Sequence, residues 1–187
     1  LDLDAAKRAL LAELREHALV IGEVTLSSGA TASYYVDARR ALLRPPGFRA
    51  AGELIAAAAA AAGATAVGGP ATAAIPLACA AIAASTDAGL VGFFVRGERK
   101  PHGLQRWIEG PVEAGDRVLV VEDTVTSGAS TVAAVERIRA QGLEVAAALA
   151  VVDRLAGGAE AIEAAAAAPY RALVTIDELY PERPDRG

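Results

Sequence analysis

The chain has 187 residues, 53% hydrophobic but only 4% aromatic, with a formal net charge of -5. At roughly 100 to 200 residues per domain this length predicts one domain over 1–187, and the acidic balance argues against nucleic-acid and anionic-membrane partners, which need a basic footprint. The single cysteine, Cys79, excludes an intrachain disulfide or a cysteine zinc cluster and reads as core filler.

The first predicted element is a helix, with Leu3, Ala6, Leu10, Leu14 and Ala18 at helical spacing and Asp2 or Asp4 as cap, running to about Val20. Its mixed acids and bases lack the layout of a signal peptide. Two extended pieces follow, Glu23 to Leu26 and Ser33 to Asp37, joined by Ser27-Ser28-Gly29 as a small hairpin. Pro45 and Pro46 open a helix through about Ala62, which Gly63 stops. From Ala66 the pattern alternates: strand Ala66 to Gly68, helix to about Thr86, strand Leu90 to Arg96, strand Arg117 to Glu122, helix to about Gln141, strand Val145 to Val152. A helix over Ala159 to Ala168 and a strand over Ala172 to Ile176 precede a polar tail. This alternation predicts an α/β fold, a parallel sheet flanked by helices. The greasiest stretches, Ala71 to Ala84 and Leu143 to Val152, are interrupted by Thr72 and Pro76 or fall short of the ~20 residues of a bilayer span. A cytoplasmic protein without a membrane partner is expected.

Between Arg96 and Asp116 the pattern lapses, and a connection that long is usually a functional lid or disorder. Its Arg96, Arg99, Lys100, His102 and Arg106 make it locally basic; a solvated loop is the plain alternative.

The string VLVVEDTVTSGAST, Val118 to Thr131, carries the strongest chemistry. A buried strand ends in Glu122 and Asp123, and a hydroxyl- and glycine-rich turn then opens a helix, beyond the carboxyl ends of the strands where an open parallel sheet binds ligands. Backbone N–H groups at the helix start, with Thr126, Ser127, Ser130 and Thr131, suit a phosphate dianion, and Gly128 allows close approach. The two carboxylates would then face sugar hydroxyls. Plain structure remains an alternative reading of spacing alone. Neither a Walker loop nor a dinucleotide fingerprint occurs.

This string resembles the phosphoribosyl pyrophosphate (PRPP) binding motif of type I phosphoribosyltransferases. RGERKPHGLQRWIEG, Arg96 to Gly110, is similar to the mobile catalytic loop of orotate phosphoribosyltransferases; GEVTLSSGATASYYVDAR, Gly22 to Arg39, to their substrate-covering hairpin; and GGPATAAIP, Gly68 to Pro76, to their pyrophosphate loop. With VVDR, Val151 to Arg154, these matches span most of the chain in the family's order. The resemblance implies a Rossmann-like parallel sheet with a small N-terminal hood over about 20–40 and a mobile loop over about 97–115. It implies transfer of ribose 5-phosphate from PRPP to orotate, giving orotidine 5'-monophosphate and pyrophosphate in pyrimidine biosynthesis.

Carried over by residue, the resemblance gives PRPP Ala71, Thr72, Arg96, Lys100, His102 and the run Glu122, Asp123, Thr124, Val125, Thr126, Ser127, Gly128, Ala129 and Ser130. Lys100, His102 and Asp123 are the implied catalytic residues. The resemblance also assigns Tyr34, Tyr35, Thr126 and Arg154 to orotate; a guanidinium fork at Arg154 suits its carboxylate, although VVDR at a strand end equally fits a surface ion pair. Tyr34 and Tyr35 point to opposite faces if extended, so one of them has a core position open to it. No protein metal site is implied, and Mg2+ is expected to be held mainly by PRPP and water. A homodimer with sites shared across its interface is also implied. Ser27 and Gly97 stand where many members have lysine, which removes positive charge near the pyrophosphate. Two alternatives stay open: a purine phosphoribosyltransferase and a non-catalytic PRPP-binding regulator.

Overall fold

The computed structural model describes residues 2–25, 31–97 and 107–186. Asp2 caps α1 (Leu3–Glu13) by accepting the Ala5 backbone N–H at 2.9 Å. The regular helix does not reach Val20. It widens into a π-helical turn over Leu14–Ala18, and β1 (Leu19–Thr25) begins at once. The apolar, partly β-branched run Leu19-Val20-Ile21 favours pairing: Leu19 lies opposite Val36, Val20 opposite Tyr35 and Ile21 opposite Tyr34 on β2 (Thr31–Val36). This antiparallel pair is a sheet of its own, and the Ser27-Ser28-Gly29 turn lies outside the described residues. A short α2 (Arg39–Leu42) leads to α3 (Pro45–Ala62), which starts on its prolines and ends at Gly63, φ +62°.

The main sheet contains β3 (Ala66–Pro70), β4 (Val91–Val95), β5 (Ile108–Glu109), β6 (Arg117–Val125), β7 (Glu144–Asp153) and β8 (Tyr170–Thr175) in the order β5-β4-β3-β6-β7-β8. All neighbours are parallel except β5, which runs antiparallel to β4. β5 lies in the segment read as lacking structure; 98–106 lie outside the described residues. Val118 and Val120 face one layer of core while Leu119 and Val121 face the other, each at most 1% exposed. That is why VLVV reads as a continuous apolar run. One layer is filled by α1, α3 and α4 (Ala74–Ala84), with Leu10, Ile55 and Leu77 fully or almost fully buried. The other is filled by α5 (Ala129–Ala140) and α6 (Gly158–Ala166), with Ile138 and Ile162 fully buried. Cys79 is exposed rather than core, because the buried stripe of α4 runs through Ala74, Leu77, Ala78 and Ala81.

The strand order turns back between β3 and β6: the chain steps outward from β3 to β4, then returns to β6 and continues the other way. A crevice opens at such a reversal, beyond the carboxyl ends of the strands. β6 pairs with β3 only through Val120 but with β7 through Val125, so its last residues keep a free edge toward that crevice. Gly69 lets β3 approach closely, since a Cβ there would stand 2.1 Å from the Val121 carbonyl oxygen. Past β8 the chain forms α7 (Ile176–Leu179) through a capping box between Thr175 and Glu178, where the sequence predicts only a strand end and a polar tail. No helix among the described residues is long and apolar enough to cross a membrane.

Candidate active site

A cleft of about 390 Å3 lies at this reversal, lined by Tyr35 to Arg39 from the hairpin exit, Thr72 and Ala73 after β3, Asp123, Thr124 and Thr126 from the end of β6, and Arg154 after β7. Three of these pieces, far apart in sequence, meet there because the parallel strands β3, β6 and β7 deliver their following loops to one end of the sheet, and the exit of the separate β1-β2 hairpin joins them.

The two adjacent acids divide. Asp123 lines the cleft, while Glu122 is 5% exposed and turned into the protein. Glu122 Oε2 accepts the Ser130 hydroxyl at 3.0 Å and the Thr131 hydroxyl at 3.3 Å, tying the start of α5 to the strand end. Burial, and next the neighbouring Asp123 charge, push the Glu122 carboxyl up to about 7 against those hydrogen bonds. Burial also raises the Asp123 carboxyl, opposed by the Thr124 amide, which donates to it, and by the Arg39 guanidinium 4.0 Å away.

Gly128 forms the turn into α5 at φ +75°, where a Cβ would meet the Gly158 carbonyl oxygen at 2.9 Å. No side chain caps α5, so the first-turn N–H groups of Ala129, Ser130 and Thr131 remain for an anionic acceptor. Ser130 and Thr131 give their one hydroxyl proton each to Glu122, which leaves the backbone N–H groups and the exposed Thr126 and Ser127 available to an anionic acceptor. Val125 is 2% exposed and anchors this loop to the core. Ala71 and Thr72 follow β3, and Thr72 is exposed at the cleft.

Tyr35 lines the cleft; Tyr34, on the opposite face of β2, is 3% exposed and belongs to the core. It reaches the site indirectly, because its hydroxyl accepts Arg154 Nη2–H at 3.1 Å. Arg154 is fixed at its backbone by an N–H donated to the Val125 carbonyl at 2.8 Å. Arg154 Nε and Thr124 Oγ1 are buried without hydrogen-bond partners, and both belong to residues that line the cleft. Buried polar atoms are ordinarily paired, so two orphans at one cleft mark a place for a polar ligand.

Arg96 stands at the end of β4, 3.6 Å from Glu109, and its carbonyl accepts Arg137 Nη1–H at 2.7 Å; it is not among the cleft-lining residues. Lys100 and His102, like Ser27, lie outside the described residues. Sequence reasoning passed over Arg39 and Asp37, which sit 2.9 Å apart and put a cation and a second carboxylate at the cleft beside Asp123. The signal was the polar VDAR ending of the hairpin, read there only as part of a motif.

No protein-family model matches the chain. It is 45% identical over 179 residues to the orotate phosphoribosyltransferase of Streptomyces avermitilis, covering 95% of this chain and 98% of that one. Among solved structures it resembles orotate phosphoribosyltransferase of Mycobacterium tuberculosis in complex with Fe(III) dicitrate, with a TM-score of 0.84 and 42% identity over 93% of this chain and 99% of that one. The same enzyme in complex with PRPP gives a TM-score of 0.79 and 36% identity over 93% and 98% of the two chains.

Proposed function

The chain belongs to the orotate phosphoribosyltransferase family, and from that premise we propose how its cleft carries out the transfer of ribose 5-phosphate from PRPP to orotate. The new bond joins C1 of the ribose to a ring nitrogen of orotate, which gives up its proton to the departing pyrophosphate or to water. The C1–oxygen bond to pyrophosphate breaks, and its electron pair leaves with pyrophosphate. Charge develops as C1 becomes cation-like and the leaving group departs, so catalysis consists mainly of positioning and of stabilising that charge.

The first turn of α5 and the Thr126–Ser127 hydroxyls hold the 5-phosphate. Asp123 accepts ribose hydroxyls, while Glu122, committed to Ser130 and Thr131, keeps strand end and phosphate cradle in fixed relation. Thr72 and the peptide groups around it meet the pyrophosphate, to which the family resemblance adds Arg96, Lys100 and His102. Tyr35 faces the base and Arg154 takes its carboxylate. The observation that carries this reading is the meeting of Asp123, Thr126 and Arg154 in one cleft, with Arg154 Nε and Thr124 Oγ1 awaiting partners.

Hard oxygen donors fit Mg2+, which keeps several waters and is bound through one or two carboxylates plus substrate phosphates. Asp123 would supply such a donor, the ion being held mainly by PRPP and water, and when bound it would offset charge on the departing pyrophosphate. A symmetric dimer and a cytoplasmic location belong to the same proposal, the latter supported by a lone cysteine that suits a reducing compartment.

The test is an ultraviolet assay of orotate loss with PRPP and Mg2+, repeated with a chelator and with purine bases. Orotate is expected to be consumed only with Mg2+, and purines not at all. Arg154→Ala should raise the KM for orotate far more than that for PRPP. Equal effects on both substrates, or turnover of a purine, would refute the base assignment.

A further inference from the structure

We infer that Tyr34 and Asp185 are positioning residues for Arg154, so that the C-terminal tail sets the aim of the orotate-binding guanidinium. The inference rests on the reading of Arg154 given above and concerns what holds that side chain in place.

The only side-chain hydrogen bond of Arg154 among the described residues goes from Nη2 to the Tyr34 hydroxyl, at 3.1 Å, with the guanidinium carbon 4.9 Å from the centre of the Tyr34 ring. An arginine has donors and no acceptor, so the tyrosine oxygen must accept here, and its single proton is free for another partner. That partner is Asp185, whose Oδ2 and Oδ1 lie 3.0 and 3.2 Å from the hydroxyl. The direction of both bonds therefore follows from counting protons: Arg154 to Tyr34 to Asp185.

Each member is held from outside the cleft. Tyr180 stands edge-on to Tyr34, with ring centres 5.4 Å apart and planes at 83°. Arg183 Nε lies 3.1 Å from Asp185 Oδ1, and Arg183 also pairs with Asp177 on α7. The tail thus docks against β2 through a charged chain that ends on the one side chain poised for the substrate carboxylate. The backbone around Arg154 is already fixed, by Val125 on one side and by Asp153 Oδ1, which accepts the Leu155 N–H at 2.7 Å, on the other. What the relay adds is the orientation of a long, otherwise rotatable side chain, and a misaimed fork loses its two-point grip on a carboxylate.

The experiment compares Tyr34→Phe, Asp185→Ala, Asp185→Asn and Arg154→Ala with the unaltered chain, measuring KM for each substrate and kcat. Tyr34→Phe and Asp185→Ala are expected to raise the KM for orotate about tenfold, the order of a hydrogen bond to a charged group, with the KM for PRPP within about twofold. Asp185→Asn keeps an oxygen for the tyrosine proton and should recover most of the loss. In an Arg154→Ala background neither change should raise the orotate KM further, because the relay then has nothing to aim. Tyr34→Phe retains the ring and its contact with Tyr180, so it decides the matter even if Asp185→Ala fails to fold.

Equal changes in both KM values, or full additivity with Arg154→Ala, would overturn the relay while leaving the reading of Arg154 intact. An unaltered chain that does not consume orotate, or an Arg154→Ala variant with unchanged orotate KM, would overturn that reading and the relay with it.

Discussion

Glu122 should make the fold less stable as the solution becomes more alkaline, and removing its charge should abolish that trend. The side chain is 5% exposed and its carboxyl is pushed from 4.5 up to about 7, first by burial and then by Asp123. A carboxyl raised on folding contributes fully below its unfolded value, near 4.5, and the contribution is lost as pH climbs through about 7, because the folded state holds the proton more tightly. At 1.36 kcal/mol per pH unit the rise from 4.5 to 7 corresponds to about 3 kcal/mol. Glu122→Gln keeps an oxygen to accept from Ser130 or Thr131 and carries no charge at any pH. Urea unfolding of both chains between about pH 5 and pH 8.5 should show the variant gaining on the parent by about 2.5 kcal/mol, since part of the contribution is already lost by pH 5. Parallel pH profiles for the two chains would refute the argument that an ionised Glu122 sits at a cost beneath the cradle.

Asp123→Asn should cut turnover by at least about a hundredfold, the scale of losing a positioned charged contact, while urea unfolding stays within about 1 kcal/mol of the parent because the side chain faces the cleft. Gly158→Ala should destabilise by about 1–3 kcal/mol and weaken PRPP binding measured calorimetrically, since its Cβ would lie 2.5 Å from Val125 Cγ1 and 2.6 Å from the Thr126 carbonyl oxygen, inside the packing of the cradle loop. Mixing inactive Lys100→Ala with inactive Asp123→Asn chains should restore activity if Lys100 serves the partner subunit's cleft, because one site then has both groups; activity that stays at the level of the separate mutants after verified subunit exchange would show that it serves its own.

Legibility in the sequence followed the range of the interactions. Elements set by local rules were legible to within a few residues: α3 with its prolines and Gly63, β6 with its doubly buried VLVV, and α5 after Gly128. The reading failed where a partner across the fold decided the outcome. Leu19 and Val20 continue a helical pattern when read alone but become part of β1 because Val36 and Tyr35 stand opposite them. β6 runs on to Val125 because β7 pairs with it that far, which carries the two acids inside a strand and turns one in and one out. Alternation then explains their separate fates, with Glu122 inward on Ser130 and Thr131 and Asp123 outward at the cleft.

The same alternation governs the two tyrosines, and there it has a functional consequence. Period-two geometry requires Tyr34 and Tyr35 to face opposite sides, but which side is the core depends on what lies beneath the hairpin. Tyr180 and Asp185 lie beneath it, some 150 residues further along the chain in each case, and no local pattern in the tail announces that it will fold back. Once it does, the tyrosine with the buried ring has its hydroxyl caught between a carboxylate and the cleft arginine, and the other is left to line the cleft. The hairpin therefore contributes one residue to the wall of the site and one to the support of the opposite wall. A change in the polar tail should consequently be felt at the proposed base end of the cleft, beside Arg154, and not at the proposed phosphate end, which Glu122 and α5 hold independently of it.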